Sequence, residues 1–201
     1  MIRLLIAEDQ TLLRGALRDL LMRDDDLDVV AECSRGDEVL PMSQQHRPDV
    51  AVLDIDLPGL DGLSAAGQLK DALPNVRVLI LTVFGRPGYL RRAMENGAMG
   101  FLLKDTPPTE LIDAIKRTAK GERVVDSTLA VAALQRGESP LSERETELLK
   151  LVDTIESTSQ LASTLHLSEG TVRNTLSSAM QKLNAHSRTQ AARIAEENGW
   201  L

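Results

Sequence analysis

Asp54 follows the apolar run Val50-Ala51-Val52-Leu53 and precedes Pro58-Gly59, so a carboxylate stands where a buried strand gives way to a turn. An acidic pair, Glu8-Asp9, comes directly after Ile6-Ala7, and Lys104 follows Phe101-Leu102-Leu103. A hard divalent cation such as Mg²⁺ prefers oxygen ligands in octahedral geometry and keeps several waters, so one or two carboxylates with phosphate oxygens suffice to hold it. Asp9, Asp54 and a backbone carbonyl at Asp56 can supply that set, with Glu8 acting directly or through water. A carboxylate can also attack phosphorus to give an aspartyl phosphate. Charge on the transferring group is neutralised by a metal and an ammonium while a hydroxyl hydrogen-bonds to it, two tasks that suit Lys104 and Thr82. Singly, each residue has a plainer reading: Glu8-Asp9 as a helix cap, Asp54-x-Asp56 as a solvated turn, Lys104 as a surface charge.

The chemistry requires these residues to meet, and the periodicity supplies the means. Short β-branched apolar runs predict strands at Arg3 to Ala7, Asp28 to Cys33, Val50 to Asp54, Arg77 to Thr82 and Gly100 to Leu103. Amphipathic stretches between them predict helices at Thr11 to Arg23, Asp37 to Gln45, Gly62 to Ala72, Gly88 to Asn96 and Pro108 to Lys120. Nearly continuous Val, Ile and Leu marks strands buried on both faces, hence a doubly wound α/β domain with a five-stranded parallel sheet. Ligands of such sheets bind at the carboxyl ends of the strands. That rule brings Glu8, Asp9, Asp54, Thr82 and Lys104 to one edge.

The stretch from Gly121 to Pro140 is less periodic and has linker composition around Gly137-Glu138-Ser139-Pro140, with a short helix admissible over Val124 to Leu134. Beyond it the pattern is all helical, with Ser142-x-x-Glu145, Ser157-x-x-Gln160 and Ser187-x-x-Gln190 as capping boxes and Asn198-Gly199 as a stop. Four helices are expected. The second and third, joined by His166-Leu167, have the layout of a helix-turn-helix. In the third, Val172, Leu176, Ala179 and Leu183 form a buried stripe, and Arg173, Asn174, Ser177, Ser178 and Gln181 lie opposite. Arginine and asparagine suit guanine and adenine edges. A docking domain with a merely solvated polar face fits the spacing as well.

The chain has 201 residues and a formal net charge of −7, enough for two modest domains. One cysteine, Cys33, excludes an internal disulfide framework and a Cys-rich zinc site, and it suits a small buried hydrophobe. No apolar run reaches a membrane-spanning length and the start lacks a signal-peptide layout, so a cytosolic protein is expected. From Ser139 onward six basic side chains face eight acidic ones, a balance of −2, yet Gly170 to Ala195 holds four basic residues and no acid. That stretch is the expected nucleic-acid footprint, and two copies are needed for useful affinity. The small apolar last helix, with Ala191, Ala192, Ile194 and Ala195, suits either packing against a twin or stabilising its own fold.

Residues 1–120 resemble the receiver domain of bacterial two-component response regulators. The resemblance rests on Ala7-Glu8-Asp9-Gln10, Asp54-Ile55-Asp56-Leu57-Pro58-Gly59-Leu60-Asp61-Gly62, Leu81-Thr82 and Gly100-Phe101-Leu102-Leu103-Lys104-Asp105. It implies a flavodoxin-like fold, Asp54 as phosphoacceptor from a sensor histidine kinase, and Glu8, Asp9, Asp54 and the Asp56 carbonyl around Mg²⁺. Lys104 then pairs with the phosphoryl group, while Thr82 and Phe101 form a hydroxyl and aromatic switch. The family often has Asp where Glu8 stands. Asp54-x-Asp56 also resembles the haloacid-dehalogenase phosphatases, but those carry the motif on the first strand of the core and need a second acidic pair downstream, whereas Glu8-Asp9 lies upstream.

Residues 141–201 resemble the LuxR-type helix-turn-helix domain of the NarL/FixJ subfamily through Leu141-Ser142-Glu143-Arg144-Glu145, Leu161-Ala162, Leu167-Ser168-x-x-Thr171-Val172-Arg173 and Lys182-Leu183. By that likeness Thr171, Arg173, Asn174, Ser177 and Lys182 face DNA, and residues 121–140 form the linker. The family usually has Gly at Ile155, Asn at Thr158 and His at Thr175. Phe84-Gly85-Arg86-Pro87-Gly88-Tyr89 with Gly170-Thr171-Val172-Arg173-Asn174 looks most like the DesR-type branch, which regulates membrane-lipid desaturation. The joint resemblance implies a transcription regulator rather than an enzyme, which dimerises on phosphorylation and binds promoter DNA. A docking module without DNA binding remains the other reading of its second half.

Overall fold

The structure is a computed structural model and describes residues 1–83, 85, 87–126, 129–131, 139–152, 154–155 and 157–201. It divides into two compact units, one of Met1–Gly85 with Leu90–Ala130 and the other of Arg86–Tyr89 with Val131–Leu201. The DesR-like stretch from Phe84 to Tyr89 falls partly outside the described residues.

In the first unit, strands β1 (Ile2–Ala7), β2 (Leu27–Cys33), β3 (Val50–Leu53), β4 (Arg77–Thr82), β5 (Gly100–Leu103) and β6 (Val124–Val125) form one parallel sheet in the order β2-β1-β3-β4-β5-β6. Helices α1 (Thr11–Leu21), α2 (Val39–His46), α3 (Gly62–Ala72), α4 (Pro87–Glu95) and α5 (Pro108–Ala119) alternate with the strands, and a 3₁₀ turn at Gly36–Glu38 leads into α2. Alternate residues of each strand serve opposite faces. Leu4, Ile6, Val50, Val52, Leu79, Leu81 and Leu102 pack with Leu17 and Leu21 of α1 and Leu111 and Ile115 of α5. Residues of the other parity, Leu5, Ala51, Leu53, Ile80 and Phe101, are buried as well. Burial on both faces is what the unbroken apolar runs require.

The sheet has six strands, not the five expected. Val124 and Val125 pair with Gly100 and Phe101, extending the open edge of β5 by two residues. This corrects the helix admitted from Val124. Two adjacent β-branched residues beside an unpaired edge satisfy more backbone groups as strand than as helix. Residues 129–131 are helical, and 127–128 and 132–138 lie outside the described residues.

β1 neighbours both β2 and β3, so the chain reverses its direction of winding between β1 and β3. Ligand sites of open α/β sheets form at such a switch point, beyond the carboxyl ends. The register places Ala7 beside Leu53 and Thr82 beside Leu103. The residues that follow these ends are therefore neighbours.

The second unit contains α6 (Glu143–Leu151), α7 (Thr158–Thr164), α8 (Glu169–Lys182) and α9 (Arg188–Glu197). Ser142, Ser157, Ser168 and Ser187 cap their starts by accepting the backbone N–H three residues on. The Ser142–Glu145 box closes in both directions. At Ser187, Gln190 instead accepts the backbone N–H of His186. Val172, Leu176, Ala179 and Leu183 form the buried stripe of α8, packed with Leu148, Leu149, Leu161 and Ala162. Ala191, Ala192 and Ala195 of α9 are buried in this same core, while Ile194 packs against it only half-buried.

His166 turns the chain between α7 and α8 in the left-handed region, at φ 54°. Ile155, where the family favours glycine, keeps out of that region; its N–H bonds Leu151 O and its side chain packs on the core. The loop is thus continued from α6 without the conformation that a β-branched residue resists.

Candidate functional site

Glu8, Asp9, Asp54 and Lys104 meet at the carboxyl ends of β1, β3 and β5. The Asp54 backbone N–H bonds Ala7 O across the β1–β3 boundary at 3.0 Å. Its carboxylate is divided between two partners: Oδ1 accepts the Ile55 N–H at 2.7 Å, and Oδ2 accepts the Lys104 ammonium at 2.8 Å. The same Nζ lies 2.7 Å from Glu8 Oε2, and all three side chains are at least nine-tenths buried. Glu8 Oε1 in turn accepts the Gln10 N–H at 3.3 Å.

One ammonium therefore bridges two buried carboxylates, and its charge alone cannot balance both. Burial raises the Glu8 carboxyl above its ordinary value, against the hydrogen bond and charge of Lys104. Burial also pulls the Lys104 ammonium down, but its hydrogen bonds to Asp54 and Glu8 and their charges outweigh this and hold it above the usual lysine value. Asp9, exposed, completes a group of three whose ligand oxygens lie within 4.8 Å of one another. Three carboxylate oxygens this close, set against the single ammonium of Lys104, fit a hard divalent cation.

The surrounding chain holds this edge in place. Thr82 is fully buried at the end of β4, and its carbonyl accepts the Lys104 backbone N–H at 2.8 Å. Phe101 is fully buried in β5 opposite Ile80. Asp56 is exposed in the loop after β3. That loop is fixed at its far end by Asp61, whose carboxylate caps α3 by accepting the N–H groups of Leu63 and Ser64. Gly62 lies against Asp54 so closely that a Cβ there would stand 1.8 Å from the Asp54 carbonyl oxygen. The Pro58-Gly59 and Asp61-Gly62 pairs mark a turn in the sequence, but no residue type there marks this close approach.

In the second unit, Arg173, Asn174 and Ser177 project from the exposed side of α8, and Thr171 is half-buried at its start, bonded to the Ser168 cap. Arg173 lies 3.5 Å from Glu169, one turn earlier, and both are well exposed. Lys182 behaves differently. Its ammonium turns back to the buried Glu145 carboxylate at 2.7 Å, where Ser178 Oγ also donates at 2.7 Å. Glu145 was visible in the sequence as a local cap; its link to α8 was not.

Two family models match the chain: the response regulator receiver domain over residues 4–116 and the luxR family of bacterial regulatory proteins over residues 139–195. The transcriptional regulatory protein YvfU of Bacillus subtilis is 45% identical over the full length of both chains, and its function is uncharacterised. The transcriptional regulatory protein DesR of Bacillus subtilis is 40% identical, again over the full length of both. The crystal structure of ChrA, the response regulator of a heme-sensing two-component system, aligns over 100% of this chain and 98% of its own with a TM-score of 0.59 at 36% identity. No helix among the described residues is long and apolar enough to cross a membrane. The chain belongs to the LuxR-family response regulators of two-component systems, with a parallel α/β receiver followed by a helix-turn-helix DNA-binding domain.

Proposed function

We propose that Asp54 accepts a phosphoryl group from a sensor histidine kinase in the cytoplasm and that this drives dimerisation and promoter binding. Residues 1–120 act as the receiver, 121–140 as a linker whose start adds strand β6 to the receiver sheet, and 141–201 as the DNA-binding domain. The observation that carries the reading is the Lys104 ammonium held at hydrogen-bond distance from Asp54 Oδ2. Asp54 Oδ1 is fixed by the Ile55 N–H, which leaves the Lys104 side of the carboxylate to face an incoming group.

Glu8, Asp9, Asp54 and the Asp56 carbonyl would hold Mg²⁺, with Glu8 needing to give up Lys104 if it binds directly. When bound, Mg²⁺ supplies positive charge to the phosphoryl oxygens and the attacking carboxylate. Attack forms the bond between an Asp54 oxygen and phosphorus as the bond from phosphorus to the kinase imidazole breaks, and the imidazole leaves with a proton. Lys104 then exchanges an Asp54 oxygen for a phosphoryl oxygen. Thr82 and Phe101 are the switch: a hydroxyl that bonds a new phosphoryl oxygen must move, and a buried ring beside it must repack. The phosphoryl group biases the equilibrium only by interacting better with one of the two packings.

On α8, Arg173 and Asn174 face base edges and Thr171 and Ser177 face the phosphate backbone. Lys182, placed among the DNA-facing residues by sequence likeness, enters through its grip on Glu145. The acidic balance of this half makes a single copy a weak binder, so a homodimer on paired half-sites supplies the affinity.

The test is phosphorylation of the full chain by acetyl phosphate with Mg²⁺, read as the mass of one added phosphoryl group. Wild type gains it and Asp54→Asn does not. Equal labelling of the two would overturn the assignment.

A further inference from the structure

We propose that Arg14 is a positioning residue for the acidic pair, holding the β1–α1 turn that carries Glu8 and Asp9 by capping the Glu8 carbonyl. The proposal rests on the reading of that pair as metal ligands. Arg14 Nη1 donates to Glu8 O at 2.6 Å, from one turn inside α1. The guanidinium is steered from its other side by Glu32 of β2, with Arg14 Nε 3.9 Å from Glu32 Oε2, and Arg18 Nη1 shares that carboxylate at 3.4 Å. Arg14 is about four-fifths buried.

The turn needs such a support. Gln10, at the N-cap of α1, makes no side-chain capping hydrogen bond. The Glu8 N–H is satisfied by Cys33 O at 3.1 Å, and the Glu8 carbonyl by the Arg14 guanidinium. Arg14 thus ties the backbone between the two carboxylates to both α1 and β2, and the ligand oxygens inherit that fixed position. Partners of this kind, behind the ligands of a metal, are worth about ten-fold or more in metal affinity.

Charge and position predict opposite signs. A guanidinium near the site repels a dication, so if Arg14 acted only through charge its removal would tighten Mg²⁺ binding. If it acts by holding the turn, removal loosens binding in spite of the lost repulsion.

The experiment is calorimetric titration of Mg²⁺ into the full chain as wild type, Arg14→Ala and Arg14→Gln, the glutamine variant keeping more of the buried stem should alanine impair folding. Both variants should bind Mg²⁺ about ten-fold more weakly. With acetyl phosphate, the Mg²⁺ concentration for half-maximal labelling should rise by the same factor while the rate at saturating Mg²⁺ stays close to that of wild type, a split that general loosening of the fold would not produce. Affinity equal to or tighter than wild type in a folded variant overturns the positioning role. Failure of wild type itself to take up Mg²⁺ overturns the reading of the acidic pair instead.

Discussion

Glu145 and Lys182 meet at 2.7 Å although 37 residues separate them, and the Glu145 side chain is only 4% exposed. The carboxylate also accepts the Ser142 N–H at 2.6 Å and the Ser178 hydroxyl at 2.7 Å, so it joins the start of α6 to the last two turns of α8. Burial alone would raise its pKa, but the hydrogen bonds from Lys182, Ser178 and Ser142 bring it down to about 2 from an ordinary 4.5. A folded-state value below the unfolded one means a contribution to stability that is whole above pH 4.5 and is lost as pH falls through about 2. Glu145→Gln should therefore cost about 2–3 kcal/mol at neutral pH, after allowing for solvent screening at the part-exposed Lys182. Urea unfolding followed by Trp200 fluorescence should show the gap between wild type and variant closing over that acid range; a constant gap would show that the charge is not what stabilises.

Lys182 and Arg173 should separate in their salt dependence. A lysine that neutralises a DNA phosphate adds about one to the slope of log affinity against log salt. Because the Lys182 ammonium is spent on Glu145, Lys182→Gln should weaken operator binding while leaving the slope unchanged. Arg173→Ala should cost about 1–3 kcal/mol and relax specificity at one base pair. Binding measured at several salt concentrations decides it, and a slope reduced by about one in Lys182→Gln would return that residue to the phosphate backbone.

Two glycines predict opposite outcomes on substitution by alanine. At Gly62 the new Cβ would meet Asp54 backbone at 1.8 Å, which cannot yield as a flexible side chain would. Gly62→Ala should destabilise the receiver by about 1–3 kcal/mol and slow labelling by acetyl phosphate, because the displaced peptide carries Asp54. Gly170, in the first turn of α8, has only Ser168 Oγ near its added Cβ, at 3.7 Å. Gly170→Ala should raise the thermal midpoint through helix propensity and still weaken DNA binding if the bare backbone there approaches a phosphate. A rise in both stability and affinity would remove Gly170 from the interface.

Much of this was legible because the signals are local. The strands Arg77–Thr82 and Gly100–Leu103 and the helix Gly62–Ala72 lie where the apolar periodicity puts them, and the parallel-sheet rule then gathers Glu8, Asp54 and Lys104 at one edge. β6 escaped because two residues carry no period; it is strand only through the edge of β5. Glu145 was readable as a cap because Ser142 is three residues away, but Ser178 and Lys182 reach it only through the fold of α8 against α6. Arg14 was hidden for a similar reason: in sequence it is one basic residue on an amphipathic helix, and its role depends on a backbone carbonyl, which leaves no trace in residue types.

Lys104 carries the last prediction, since it is the sole cation found bridging Glu8 and Asp54 among the described residues. Lys104→Met keeps the apolar stem but removes the ammonium from two buried carboxylates that already repel each other. Loss of one partner of a buried ion pair costs about 3–5 kcal/mol, so the receiver should unfold at markedly lower temperature. Mg²⁺ should then do more for the variant than for wild type, because a dication entering the acidic group no longer competes with Lys104 and restores the missing charge. Thermal unfolding with EDTA and with saturating Mg²⁺ measures both effects: the increment from Mg²⁺ should be larger in Lys104→Met, while labelling of Asp54 by acetyl phosphate at saturating Mg²⁺ stays slow, since the ammonium proposed to hold the transferring group is gone. An equal Mg²⁺ increment in the two proteins would mean that the cation binds away from Glu8 and Asp54.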